Sequence, residues 1–190
     1  MERVRVSQGN KKVGKDTLIL NMCSSTDCPL MQAGGVGCKH PNKCYAMKAE
    51  RCYPTVLPYR QAQENTWRTY EYRAIADDLV DIINSKKGIK YLRFSEAGDF
   101  SEQYDVDKMY NIARIVKLDT GVHTYGYTAR KDLEFRGEDY MTVNGSGFML
   151  DNNFKAVDKY TGKGEVCKMN CRVCDYCKRA GGELIEVKYH

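Results

Sequence analysis

Ile89-Lys-Tyr-Leu-Arg-Phe-Ser95, then Glu96-Ala-Gly-Asp-Phe100, then a helical stretch over 102–117, then Gly121-Val-His-Thr-Tyr-Gly-Tyr127 follow one another in the chain. The first piece alternates apolar and polar residues as a strand does, and the second is a tight loop at its end. The third places Val106, Met109, Ile112, Ile115 and Val116 on one helical face. The fourth is again a strand, with Thr128 at its end. Strand, helix, strand at these lengths predicts a parallel βαβ unit.

The same alternation continues outward. Residues 16–22, Asp-Thr-Leu-Ile-Leu-Asn-Met, read as a buried strand that ends at Cys23. Residues 59–84 carry Trp67, Tyr70, Ala74, Ile75, Leu79, Ile82 and Ile83 at helical spacing, and Gly88 closes that segment. Downstream, a short helix is expected over 129–135, strands over 140–144 and 147–150 around Gly145, and a last strand over 183–188. The fold expected is one α/β domain over residues 1–190, with a small, mainly parallel sheet and cysteine-rich metal-binding loops at both ends. In such sheets chemistry gathers at the C-terminal ends of the strands, where Cys23, Gly98-Asp99 and Thr128 fall. No internal repeat interrupts the pattern.

Composition bounds the function classes. The chain has 190 residues, 42% hydrophobic and 29% charged, which suits a globular domain. No apolar run approaches the ~20 residues that span a bilayer, so no membrane partner is expected. The charged stretch Met1–Lys15 lacks a signal peptide's apolar core, so a cytoplasmic location is expected, one that keeps thiols reduced. The net charge of +5 permits a nucleic-acid partner without demanding one.

Nine cysteines therefore read as metal ligands before disulfides. Cys167-x3-Cys171-x2-Cys174-x2-Cys177 puts four thiols within eleven residues, in a segment (160–182) almost without apolar content. Its spacings are those of bacterial ferredoxins in reverse order, a reach that suits a cuboidal cluster. Four-cysteine zinc sites are the rival, though they more often pair two C-x2-C knuckles across a longer gap. Cys167, Cys171 and Cys174 also match the C-x3-C-x2-C signature of radical S-adenosylmethionine enzymes. That signature, however, follows a first strand and has an aromatic residue where this chain has Val173. The N-terminal set, Cys23-x4-Cys28-x9-Cys38-x5-Cys44, is looser; Cys23 is its least certain member. His40 reads as a surface residue before a ligand, and Cys52 as a spare buried thiol.

With these residues in view the chain resembles a phage-encoded family known as gene product 88. The resemblance rests on Cys28-Pro29 through Cys38 to Cys44-Tyr45-Ala46, on Arg93, Ser95 and Gly98-Asp99-Phe100, on Tyr125-Gly126-Tyr127-Thr128, and on the terminal cysteines, in that order. It implies a phage or prophage origin, hence the cytoplasm of an infected or lysogenic bacterium. It also implies a cysteine-bound cluster and a half-barrel related to radical S-adenosylmethionine enzymes, but no reaction. The chain departs from the family pattern in its extra Cys23 and a longer gap from Cys28 to Cys38.

Beyond the metal, Asp99 and Thr128 would face a ligand at the strand ends, although Asp99 or Ser101 reads first as the N-cap of the following helix. Arg93 would neutralise a cluster or bind a carboxylate, and Tyr127 shares its region. Tyr125, Tyr127 and His123 share one strand face, the tyrosines as core and the histidine as a buried hydrogen-bonded group. Gly126 would let something approach closely on the opposite face. Arg130 and Lys131 would bind an anion at a helix start or face water. The function expected is a 4Fe–4S iron–sulfur protein, redox or radical-type. Its partner would be a small-molecule substrate or a redox protein, and S-adenosylmethionine would fit if Cys28, Cys38 and Cys44 left one iron open. The alternative is a zinc-stabilised module that binds nucleic acid or protein without catalysis.

Overall fold

The structure is a computed structural model that describes residues 3–10, 12–32 and 44–188. Eight strands form one sheet: β1 (Ser7–Gln8), β2 (Thr17–Leu20), β3 (Tyr91–Phe94), β4 (His123–Thr128), β5 (Met141–Ser146), β6 (Asn152–Val157), β7 (Glu165–Val166) and β8 (Leu184–Lys188). Five helices accompany them: α1 (Pro29–Gln32), α2 (Tyr45–Cys52), α3 (Val56–Thr69), α4 (Tyr72–Ser85) and α5 (Gln103–Thr120). The spatial order is β1-β2-β3-β4-β5-β6-β8-β7, and only β1 runs antiparallel to its neighbour. From β2 to β6 the spatial order repeats the chain order. The sheet therefore winds in one direction, without the reversal of a doubly wound fold.

The pleat divides the sheet by chemistry. Leu18 and Leu20, Leu92 and Phe94, and Met141 and Val143 join one core with Ile75, Leu79 and Ile83 of α4 and Met109, Ile112 and Val116 of α5. Gly126 belongs to this face. A Cβ there would lie 3.5 Å from Phe94 and 3.7 Å from Met141, so what approaches it is core, not a ligand. The alternate residues (Thr17, Tyr91, Arg93, His123, Tyr125, Tyr127, Thr142 and Asn144) make a polar, aromatic face. Register sets Arg93 beside Tyr125, and Tyr127 beside Asn144. The tyrosines expected in the core thus lie on the opposite side of the sheet from it.

Three local expectations are corrected. The helix expected over 59–84 is two, α3 and α4, parted at Tyr70–Glu71. Lys108 of α5 donates to the carbonyls of Trp67 and Tyr70, which satisfies the last turn of α3 and fixes the break. No helix forms over 129–135, because the Ala129 N–H goes to Asp99 and the Arg130 guanidinium bonds the Phe100 and Ser101 carbonyls. Of the two strands expected around Gly145, the first is β5, which runs through Gly145 to Ser146, and 147–150 form the turn into β6 instead of a strand. Phe148 folds back so closely that a Cβ on Gly145 would sit 2.3 Å from the Phe148 carbonyl oxygen.

Candidate functional site

Two groups of cysteines lie on this framework. The first sits at the C-terminal ends of β2 and β3. Buried Asn21 donates to Gln63 of α3 (2.7 Å) and accepts the Ala97 N–H (2.8 Å), tying the two strand ends together. Glu50 of α2 accepts the Ser25 N–H (2.9 Å) and hydroxyl, and forms a 2.7 Å ion pair with Arg60 of α3. Both side chains of that pair are almost wholly buried. These struts hold the loop that carries Cys23 and Cys28.

Cys23 is fully buried, and its sulfur lies so close to Gly98 that a Cβ there would fall 2.2 Å from it. Gly98 has a φ of +77°, so glycine is required twice over, for conformation and for space. The Cys23 thiol donates to the Asp99 carbonyl oxygen (3.7 Å), and its pKa is held well above the usual thiol range by neighbouring Cys28 first and by burial second. Cys23 in turn holds Cys28 below its ordinary value, helped by the N–H groups of Leu30 and Met31 and opposed by burial. The pair is therefore polarised, with charge favoured on Cys28.

Asp99 lies beside it. Its carboxylate accepts from Thr128 Oγ1 (2.7 Å) and from the N–H groups of Ala129 (2.7 Å) and Phe100 (2.9 Å). Burial nonetheless raises its pKa from 3.8 to about 6. Asp99 is not the N-cap expected from sequence. It stands too early for α5, whose N-cap residue is Glu102, and neither it nor Ser101 caps the helix by side chain. Asp105, within the first turn, bonds the Ser101 N–H instead. Thr128 is thus a partner of Asp99 at the strand ends, as its position suggests.

The second group crosses the polar face of the sheet. Asn144 holds the Cys177 carbonyl (2.9 Å), Asn152 holds those of Tyr176 (3.2 Å) and Arg179 (2.8 Å), and Lys178 donates to the Cys171 carbonyl (2.7 Å) while stacking on Tyr91. The Cys167 N–H pairs with Glu186 of β8, and the Cys171 N–H with Lys12. Polar clamps thus order a segment that has no core of its own. Beneath it the Arg93 guanidinium lies 5.1 Å from the centre of the Tyr127 ring, and Tyr127 opposes the rise in the pKa of the neighbouring Cys177 thiol. Burial pushes the Cys177 thiol up to about 12, with Cys167, Cys171 and Cys174 adding to the rise. Burial also raises Cys171, against the pull of Lys12 and Arg93.

The four C-terminal thiols are therefore electrostatic neighbours, but among the described residues no three Cys, His, Asp or Glu side chains stand close enough to hold a metal ion. None of the described cysteines is in a disulfide. Buried Nε of Arg93 and the hydroxyl of Tyr125 lack hydrogen-bond partners; the latter lies near Thr17 without a bond of good geometry. Cys38 and His40 lie outside the described residues. Cys44 sits at the N-terminus of α2. Cys52 is exposed rather than buried. His123 bonds Thr142 (2.9 Å), and burial lowers its pKa, as for the buried histidine expected. Arg130 is spent on carbonyls and Asp132, not on an anion.

The family comparison agrees with the motifs. The model of the gene product 88 family matches residues 4–139. The chain belongs to the gene product 88 family. The match takes in β1 to β4 and the Cys23–Cys28–Asp99 group, and stops before β5 and the C-terminal cysteines. No curated protein and no solved structure matches the chain. No helix among the described residues is long and apolar enough to cross a membrane.

Proposed function

We propose that this member of the gene product 88 family is an iron–sulfur protein. Cys167, Cys171, Cys174 and Cys177 would hold a 4Fe–4S cluster that carries electrons. The observation that supports this most is Arg93. Its guanidinium is set under the cysteine segment, its sealed Nε has no hydrogen-bond partner, and it makes no ion pair among the described residues. Glu96 acts on this half-buried cation only from beyond ion-pair distance, and a cation with a sealed donor and no bonded counter-charge is costly. Four thiolates on iron would supply that charge, and the soft, all-sulfur donor set suits iron–sulfur chemistry. When bound, the cluster supplies one-electron redox chemistry. Arg93 would raise its potential by favouring the reduced, more negative state, and the clamps of Asn144, Asn152 and Lys178 would hold the ligand loop against the sheet.

Four closed ligands favour electron transfer over a radical reaction. The radical reading needs an open iron held by Cys28, Cys38 and Cys44, whereas Cys28 is engaged by Cys23. The zinc-stabilised module draws on one observation, that the segment is ordered without apolar packing, since a structural metal would add the missing stability. Iron, zinc and acid-labile sulfide per chain, measured on protein purified without oxygen, decide between them. Iron and sulfide in equal amounts with a brown colour is the expected result. Stoichiometric zinc without sulfide would overturn the iron–sulfur reading.

A further inference from the structure

We propose that the outer face of the cysteine segment, around Val173, is where a small acidic electron-transfer protein docks. The inference rests on the cluster reading and adds to it the kind of partner and the place where that partner stands.

The segment has two sides. One is clamped to the sheet through Asn144, Asn152 and Lys178. On the other, Val173 lies in the chain between Cys171 and Cys174 and is 72% exposed. A single exposed valine says little by itself. Its surroundings say more. Val173 lines an open cleft of ≈ 370 Å³ together with Cys174, Tyr91, Lys90 and Asp16. One of the four C-terminal thiol residues therefore forms part of the wall of a cleft that a partner can enter. Asp16 and Lys90 stand just before β2 and β3, so the cleft lies at the N-terminal ends of the strands, opposite the end that carries Cys23 and Asp99.

Charge selects the partner. From 159 to 179, Lys159, Lys163, Lys168, Arg172, Lys178 and Arg179 stand against Glu165 and Asp175, so this stretch carries most of the chain's net charge of +5. All six except Lys178 are exposed. Arg179 is answered by Asp175 (3.8 Å) and Glu183 (3.5 Å), and the excess comes from the others. It outweighs the net negative charge of one four-thiolate 4Fe–4S centre, so the face stays basic with the cluster bound. Basic residues beside an exposed apolar one fit an acidic protein surface, whose charge steers the encounter and whose apolar atoms seat it. Nucleic acid fits less well. The exposed valine adds nothing to a phosphate contact, and Asp16 and Asp175 in the cleft repel a phosphate backbone. One electron crosses at this face. The partner's centre is oxidised as it leaves and the chain's cluster is reduced as it arrives, with no bond made or broken.

The test uses the full chain, purified without oxygen, and a plant-type ferredoxin as probe, a small acidic protein with one iron–sulfur centre. Binding is read from the fluorescence anisotropy of labelled ferredoxin. Binding is expected at about 0.01 M salt and its loss at about 1 M, where screening shortens the reach of charge about tenfold. Val173→Glu and Lys168→Glu should each weaken binding about tenfold, one by repulsion at the seat and the other by loss of steering. Both residues are exposed, so neither change should unfold the chain, and circular dichroism checks this. Lys48→Glu makes the same charge change on α2, at the other end of the strands, and should bind as the wild type does. No binding at low salt, equal weakening by Lys48→Glu and Lys168→Glu, or duplex DNA bound more tightly than ferredoxin at the same salt would each overturn the proposal. Failure of the cluster reading would show separately, as wild-type protein without iron, because anisotropy reads docking with or without metal.

Discussion

Replacing Asp99 by asparagine should change how stability depends on pH. In the folded protein the Asp99 carboxyl titrates near 6 instead of 3.8, because burial outweighs its three hydrogen bonds. A carboxyl whose folded pKa is raised binds its proton more tightly when folded. Its contribution is fully present below about 3.8 and is lost as pH rises through about 6. At about 1.4 kcal/mol per pKa unit, ionised Asp99 costs the fold about 3 kcal/mol at neutral pH. The asparagine side chain cannot ionise. Any contact it loses subtracts a constant, so the pH-dependent part of the difference belongs to this one group. From pH 4 to pH 7 the variant should gain about 2 kcal/mol relative to the wild type. Urea unfolding of both proteins across that range, on metal-free chains, measures it. Two stability curves that stay parallel would show that Asp99 is an ordinary carboxylate and would refute the reasoning.

Other perturbations test the remaining supports. Arg60→Met leaves Glu50 buried and charged with only Ser25 to satisfy it, so unfolding free energy should fall by about 3–5 kcal/mol; a loss under ~1 kcal/mol would make the pair superficial. Gly98→Ala forces a Cβ onto the Cys23 sulfur at a positive φ and should cost more than about 1 kcal/mol by the same assay. Cys171→Ser or Cys174→Ser should lose the metal while Cys52→Ser keeps it; retained iron in the Cys174 variant would remove that residue from the ligand set. Arg93→Met should keep iron and shift the midpoint potential to more negative values, and an unchanged potential would break the link between Arg93 and the cluster.

Elements with periodic apolar residues were legible in the sequence: β2, β3, α4, α5, β4 and β8 all lie where alternation or helical spacing puts them. Those set by side-chain contacts across the chain were not. The break between α3 and α4 depends on Lys108, 38 residues from Tyr70, and nothing local to Tyr70 announces it. Strand β6 opens with Asn152-Asn153, a residue type depleted in strands. In the fold Asn152 is buried because its amide holds Asn144 and two carbonyls of the cysteine segment. Gly126 suggests a close approach, and what approaches is Phe94 and Met141. At the site, strand-end position correctly draws attention to Cys23, Asp99 and Thr128. Glu50, Arg60 and Lys178 escape notice, since a charged residue on an amphipathic helix or in a basic tail ordinarily faces water.

The two cysteine groups differ in what surrounds them, and that difference argues for different chemistry. The N-terminal pair has small, tight surroundings: Gly98 backbone against Cys23, a partner thiol, and a loop fixed by a buried ion pair. The cation that acts on Cys28 there, Arg130, is already paired with Asp132, and Asp99 and Glu64 add acid charge nearby. The C-terminal four have the reverse. Arg93, Lys12 and Lys178 act on Cys171, Tyr127 acts on Cys177, and no carboxylate bonds any of the four thiols among the described residues. Gathering four thiolates is favourable only where positive charge and donors wait for them.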